Sequence, residues 1–233
     1  MTDALTPLVL IPGMMCDARM WGALPAALYQ RQLYHALPVK ADSMAAFAAA
    51  ILQGAPPRFA LAGLSLGGIV AMEVVRQAPD RVERLALMDT NPLAETPEAK
   101  ARRGPQVARV LAGGLASVMR DEMKPNYLAD TPHQTAILDL CMEMAVALGP
   151  QVFACQSRAL ATRPDQTTTL GAYRDPALVL MGEHDIPCPR DRHDLMHNLM
   201  PQSRLVIIPG AGHLPILEKP IETTAALLRW LEE

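Results

Sequence analysis

The sequence predicts an α/β fold: a mostly parallel sheet of about six strands, helices on both its faces, and a helical segment inserted late in the order. Short, continuous apolar runs recur along the chain, each closed by glycine, proline or aspartate. Runs that are apolar at every position suit strands buried on both faces, as in a parallel sheet. Between them lie stretches whose apolar residues fall at helical spacing. One run ends in Gly63-Leu64-Ser65-Leu66-Gly67-Gly68 and resumes as a helix, which is strand, tight turn, helix.

Leu8–Ile11, closed by Pro12-Gly13, reads as the first strand. A loop from Met14 leads to Trp21 and an expected helix over 21–30, and 32–39 is a weaker strand. Asp42 or Ser43 caps an alanine-rich helix over 44–53, stopped at Gly54. Phe59–Leu64 is the next strand and 67–77 its helix. Val82–Met88 follows, closed by Asp89-Thr90-Asn91-Pro92. This alternation requires right-handed crossovers.

The pattern then changes. Residues 92–173 show no strand period, only helical patterns over 97–111, 115–123, 135–148 and 151–161. Gly113-Gly114, Pro125, Pro132, Gly149-Pro150 and Pro164 punctuate them. This segment reads as a helical cap inserted into a core of residues 1–91 and 174–233. Its eight lysines and arginines balance eight acids, so it offers no overall steering of a charged ligand. Strands return at 177–181 and 205–208, with helices over 191–200 and 221–231.

Composition narrows the function. A net charge of −3 and 4% aromatics argue against nucleic acid as a partner. The start of the chain has no basic n-region, and no apolar run reads as a bilayer span. A cytoplasmic protein without a membrane partner is therefore expected. Cys16, Cys141, Cys155 and Cys188 form no C-x-x-C and are expected as reduced thiols.

Glycines at 63 and 67 let Ser65 stand in a strained conformation at the end of a sheet, over a helix N-terminus. A developing negative charge there would meet free N–H groups. A serine hydroxyl needs a base, and the base needs an orienting acid. In an open parallel sheet such groups gather after the strands. Asp185 follows one later strand and His213 the next, so the chain order is nucleophile, acid, base. Asp89 also ends a strand and is a rival acid. Asp191, expected on a helix, is a weaker one. His184 reads as a loop residue. His193-Asp194-Leu195-Met196-His197 is similar to a zinc-binding pair on one helix face, but without a third ligand it is expected to be a solvated face, and no metal is predicted. Cys16 and Cys188 lie on loops near the expected site, either as oxidation-sensitive thiols or as buried small hydrophobes. Met119, Met123, Met142 and Met144 are candidates either for pocket lining or for packing within the cap.

Gly63-Leu64-Ser65-Leu66-Gly67-Gly68, Gly182-Glu183-His184-Asp185 and Gly210-Ala211-Gly212-His213-Leu214-Pro215, in this order over essentially the whole chain, resemble the α/β-hydrolase superfamily. The resemblance implies an oxyanion hole from the backbone N–H groups of Leu66 and Met14, with Met15 one residue of register away. Many relatives have a histidine where Pro12 stands, but the donor is main-chain. Trp21 matches an aromatic that packs after this loop. Two antiparallel strands common at the start of relatives have no room here. The implied activity is that of a serine hydrolase acting on a small, mostly uncharged carboxylic ester through an acyl-enzyme on Ser65, with no cofactor. Lactone, thioester or carbon–carbon bond hydrolysis uses the same machinery, and some relatives with this triad are slow-turnover small-ligand receptors.

Overall fold

The apolar runs become six strands: β1 (Leu8–Ile11), β2 (Leu33–His35), β3 (Phe59–Leu64), β4 (Val82–Met88), β5 (Ala177–Gly182) and β6 (Arg204–Ile208). They lie in the order β2-β1-β3-β4-β5-β6, and every neighbouring pair is parallel. The computed structural model describes residues 5–130 and 133–232, so Pro132 and the first four residues lie outside the described residues.

Burial on both faces explains the continuous apolar runs. Alternate residues of each strand enter opposite cores. Val9, Leu61, Leu87 and Val179 pack on one face with α1 (Met44–Gly54) and α2 (Leu66–Gln77). Leu10, Ala62, Met88 and Leu180 pack on the other with Trp21, Leu227 and Trp230, the last two from α9 (Pro220–Glu232). Ser43, not Asp42, caps α1, accepting the N–H of Ala46 at 3.2 Å. The expected helix over 21–30 is replaced by two short 3-10 turns, Ala18–Trp21 and Leu28–Gln30. Gly22 at φ 61° separates them, and Pro25 follows in the linking loop.

Between β4 and β5 come α3 (Pro97–Arg109), α4 (Leu115–Val118), α5 (Gln134–Ala161) and α6 (Thr167–Ala172). No strand lies there among the described residues. Gly113, at φ 99°, turns the chain between α3 and α4. α6 was not expected from the sequence. α5 has the length and apolar composition of a bilayer-crossing helix. Gly149, at φ 81° and followed by Pro150, breaks it, so neither half reaches the ~20 residues a span requires. Ile137, Cys141, Met144 and Phe153 of α5 are buried inside the protein. The chain then completes the sheet with α7 (Arg190–Leu199), β6, the single turn α8 (Pro215–Glu218) and α9.

The β3–α2 turn is the tightest point of the fold. A Cβ on Gly63 would overlap the carbonyl of Gly67, and one on Gly67 would overlap the carbonyl of Ile11. Both obstacles are backbone and cannot swing aside. Gly67→Ala is therefore expected to destabilise the fold by about 2 kcal/mol or more. Thermal unfolding should show a Tm lower by several degrees; an unchanged Tm would mean that the turn can open without cost.

Candidate active site

Ser65 stands between β3 and α2 at φ 55°, ψ −116°, in a region that non-glycine residues rarely occupy. Four backbone contacts hold it there. Its N–H donates to Met88 O at 2.9 Å, and its carbonyl accepts from Gly68 N, Ile69 N and the Thr90 hydroxyl, the last at 2.7 Å. Thr90 is itself anchored: its N–H donates to Nε2 of His193 at 3.3 Å. The serine side chain makes no capping bond to α2, which leaves Oγ free to face the other loops.

Those loops deliver the partners. His213 Nε2 lies 2.9 Å from Ser65 Oγ, and His213 Nδ1 lies 2.8 Å from Asp185 Oδ1. Asp185 Oδ1 also accepts the N–H of Cys188 at 3.0 Å. Asp185 and His213 are buried, and Ser65 is half-buried at their head. The structure thus brings together all three residues singled out from the sequence. Asp89, the rival acid, does not reach the histidine; its Oδ1 accepts the N–H of Gly182 at 2.8 Å. Asp191 is exposed on α7 beside Arg192, and His184 is exposed.

Met14 and Leu66 line the same cavity as Ser65. Neither N–H has an acceptor among the described residues. The neighbours of Met14 are engaged: Gly13 N donates to Met20 Sδ at 3.3 Å, and Met15 N to Gln156 Oε1 at 2.9 Å. Of the two registers open in the sequence, only Met14 leaves a free donor.

Several supporting residues carry no local sequence signal. Glu218, on α8, accepts N–H groups from Ala129 at 2.9 Å, Gly212 at 2.9 Å and Leu214 at 3.0 Å, clamping the loop on both sides of His213. His213 N donates to Tyr127 O at 2.6 Å, and the two rings stand 5.9 Å apart. Gln156 serves the Met15 N–H and donates to Pro38 O at 3.0 Å.

The histidine pair on α7 corrects an expectation. His193 is not on a solvated face; it is buried, with Nδ1 against Pro189 O and Nε2 accepting from Thr90. Burial holds its pKa below the ordinary value, which keeps the ring neutral so that Nε2 can accept. His197 is engaged with the Ser203 hydroxyl at 2.8 Å. Among the described residues, Asp185, Cys188 and His213 come close enough together to suggest a metal site. However, a metal there would break the Asp185–His213 bond and would need a thiolate at Cys188. Burial, followed by the charges of Asp185 and Asp89, pushes that thiol well above its usual value. Cys16 is likewise buried, with its thiol raised by burial first. Both behave as small hydrophobes. Of the four methionines, Met123 lines the cavity, while Met119 and Met144 are buried and Met142 is half-buried in the packing.

A parallel sheet with a serine, histidine and aspartate in hydrogen-bonded series at its C-terminal edge defines a class of α/β enzymes. The Alpha/beta hydrolase family matches residues 8–227, and the chain belongs to that family. It is a hydrolase. A pimeloyl-[acyl-carrier protein] methyl ester esterase of Aromatoleum aromaticum is 27% identical, over 95% of this chain and 96% of that protein. A thermophilic esterase from Thermogutta terrifontis, solved with malate bound, superposes with a TM-score of 0.88 at 30% identity, covering 99% of this chain and 91% of that one. An enol-lactonase from Burkholderia xenovorans LB400 shares the fold at a TM-score of 0.86 and 19% identity, covering 100% and 94%.

Removing the Glu218 carboxylate strands three N–H groups around His213. Glu218→Ala is expected to cost about 3 kcal/mol and to lower activity, with Glu218→Gln intermediate. Denaturant unfolding beside an esterase assay checks this; an alanine variant as stable and active as the parent would show that the loop holds itself.

Proposed function

We propose that the chain is a serine hydrolase that cleaves small, mostly uncharged carboxylic esters through an acyl-enzyme on Ser65. The observation that carries this reading is the unbroken series from Ser65 Oγ through His213 to Asp185, at 2.9 and 2.8 Å. With Nδ1–H donated to Asp185, Nε2 of His213 is the acceptor for the serine proton. Oγ attacks the ester carbonyl as His213 takes that proton. The N–H groups of Met14 and Leu66 are the donors assigned to the oxyanion. The tetrahedral intermediate expels the alcohol, which leaves with the proton from His213. Water then enters by the same route and releases the acid. Asp185 fixes the tautomer and stabilises the imidazolium.

The cavity in front of Ser65 has a volume of about 1090 Å³. In this reading residues 92–173 are its cap, because Met123, Leu160 and several walling arginines come from that segment. Many of the charges in the wall are paired. Arg103 and Arg163 share Glu95, and Arg109 pairs with Glu122 at 2.8 Å. The esterase names of the relatives from A. aromaticum and T. terrifontis support ester cleavage, and the first of these argues for including methyl esters of longer acids among the substrates tested.

A fluorophosphonate probe should label Ser65, located by peptide mass spectrometry. Turnover of p-nitrophenyl acetate and butyrate should be prompt and saturable; stoichiometric acylation without turnover would favour a receptor. Ser65→Ala should lower kcat by about 10⁶-fold and Asp185→Asn by about 10⁴-fold, by analogy with other triads. Near-parental activity in purified Ser65→Ala protein would overturn the mechanism.

A further inference from the structure

Asp89 is a buried acid that this mechanism leaves unused. It ends β4, beside the strand whose exit loop carries Asp185. Its backbone is pinned at φ 44°, with its N–H donating to Leu180 O at 2.9 Å. Its Oδ1 accepts from Gly182, but its Oδ2 is buried with no partner. Asp185 Oδ2 is also buried with no partner. The two acids follow neighbouring strands, and the charge of Asp185 acts directly on Asp89. Two ionised carboxylates are not tolerated side by side in a dry interior. One proton between them supplies the missing donor and satisfies both orphaned oxygens.

We propose that Asp89 is a positioning residue, held as a neutral carboxylic acid that donates a hydrogen bond through Oδ2 to Oδ2 of Asp185.

The proton belongs on Asp89 because the two environments differ. Asp185 Oδ1 accepts two N–H donors, from His213 and Cys188, and both favour its charge. Asp89 has one N–H donor and is 0% exposed. The titratable groups around the pair are Glu218 on α8, Cys188, His193 on α7 and His213; Arg163 and Arg192 lie beyond Cys188. Asp89 has no ion pair among the described residues, and burial, followed by the charge of Asp185, pushes its carboxyl well above the usual carboxylate range. The bond fixes the Asp185 rotamer and leaves one negative charge facing the imidazole instead of two.

The protonation itself does not depend on the proposed serine mechanism, whereas its kinetic effect does, so the test reads them separately. Infrared spectra of the whole protein at neutral pH should show a carboxylic-acid carbonyl stretch that shifts in D₂O and is absent in Asp89→Asn. Between the ordinary and the raised pKa the folded state binds one more proton than the unfolded chain. Parental stability therefore falls as pH rises, and Asp89→Asn escapes that fall. Its Tm relative to the parent should climb as pH rises above the ordinary carboxylate range. On p-nitrophenyl acetate, Asp89→Asn offers the same acceptor and donor and should retain kcat within about threefold. Asp89→Ala should lose about tenfold in kcat, a loss that the asparagine variant does not share. A folded parent with no acid band, a band that survives in Asp89→Asn, or a pH-independent Tm difference would each overturn the proposal. If the band and Tm behave as expected but Ser65→Ala stays active, the serine mechanism fails while the neutral acid stands.

Discussion

The structure depends on one constraint: a serine with its backbone at φ 55° must be held at the edge of a sheet, facing loops that come from distant parts of the chain. Such a conformation costs of order 1–3 kcal/mol, and only surroundings that over-determine it can maintain it. The parallel sheet supplies those surroundings. Because every strand runs the same way, the exits of β3, β4, β5 and β6 all open at one edge. Met88 O and the Thr90 hydroxyl, from the neighbouring strand and its exit, grip the serine backbone. The glycines at 63 and 67 admit the helix that the serine begins. A sheet with antiparallel members would scatter these exits over two edges.

Much of this arrangement was legible because its causes are local. A strand buried on both faces writes itself as a continuous apolar run, and a tight turn as glycines at set positions. Asp185 and His213 could be found because each follows such a run directly, so strand assignment fixes their place in space. The break at Gly149-Pro150 was legible for the same reason. Where a local pattern admitted two answers, local reasoning erred: the stretch 21–30 has helical spacing, yet Gly22 and Pro25 divide it into 3-10 turns.

The residues that lock the site were not legible, because their partners are far away in sequence. Glu218 reads as an ordinary acid near a helix start, and only folding reveals that it holds Ala129, 89 residues earlier, together with the loop of His213. His193 looked like half of a solvated pair. Its burial follows from the way α7 packs against the exit of β4, and its acceptor role toward Thr90 links it to the serine backbone through one intervening residue. No periodicity encodes such contacts. Each is a buried polar group whose partner must be found by accounting for every N–H and oxygen.

The same accounting joins the helical segment to the chemistry proposed for the core. The N–H groups of Met14 and Met15 differ by one position, and the sequence left both open as oxyanion donors. Gln156, 141 residues away, takes the Met15 N–H while its own amide is tied to Pro38, which supports the proposed choice of Met14. Gln156 belongs to the second half of α5, beyond the Gly149 break. Had α5 continued straight, the residues after the break would project along a different line, and Met15 would lose a partner it cannot replace in the interior. The kink in α5 is thus tied to the register of the loop after β1. Under the proposed mechanism, the segment that walls the cavity also leaves Met14 rather than Met15 as the free donor, which couples substrate shape to oxyanion geometry.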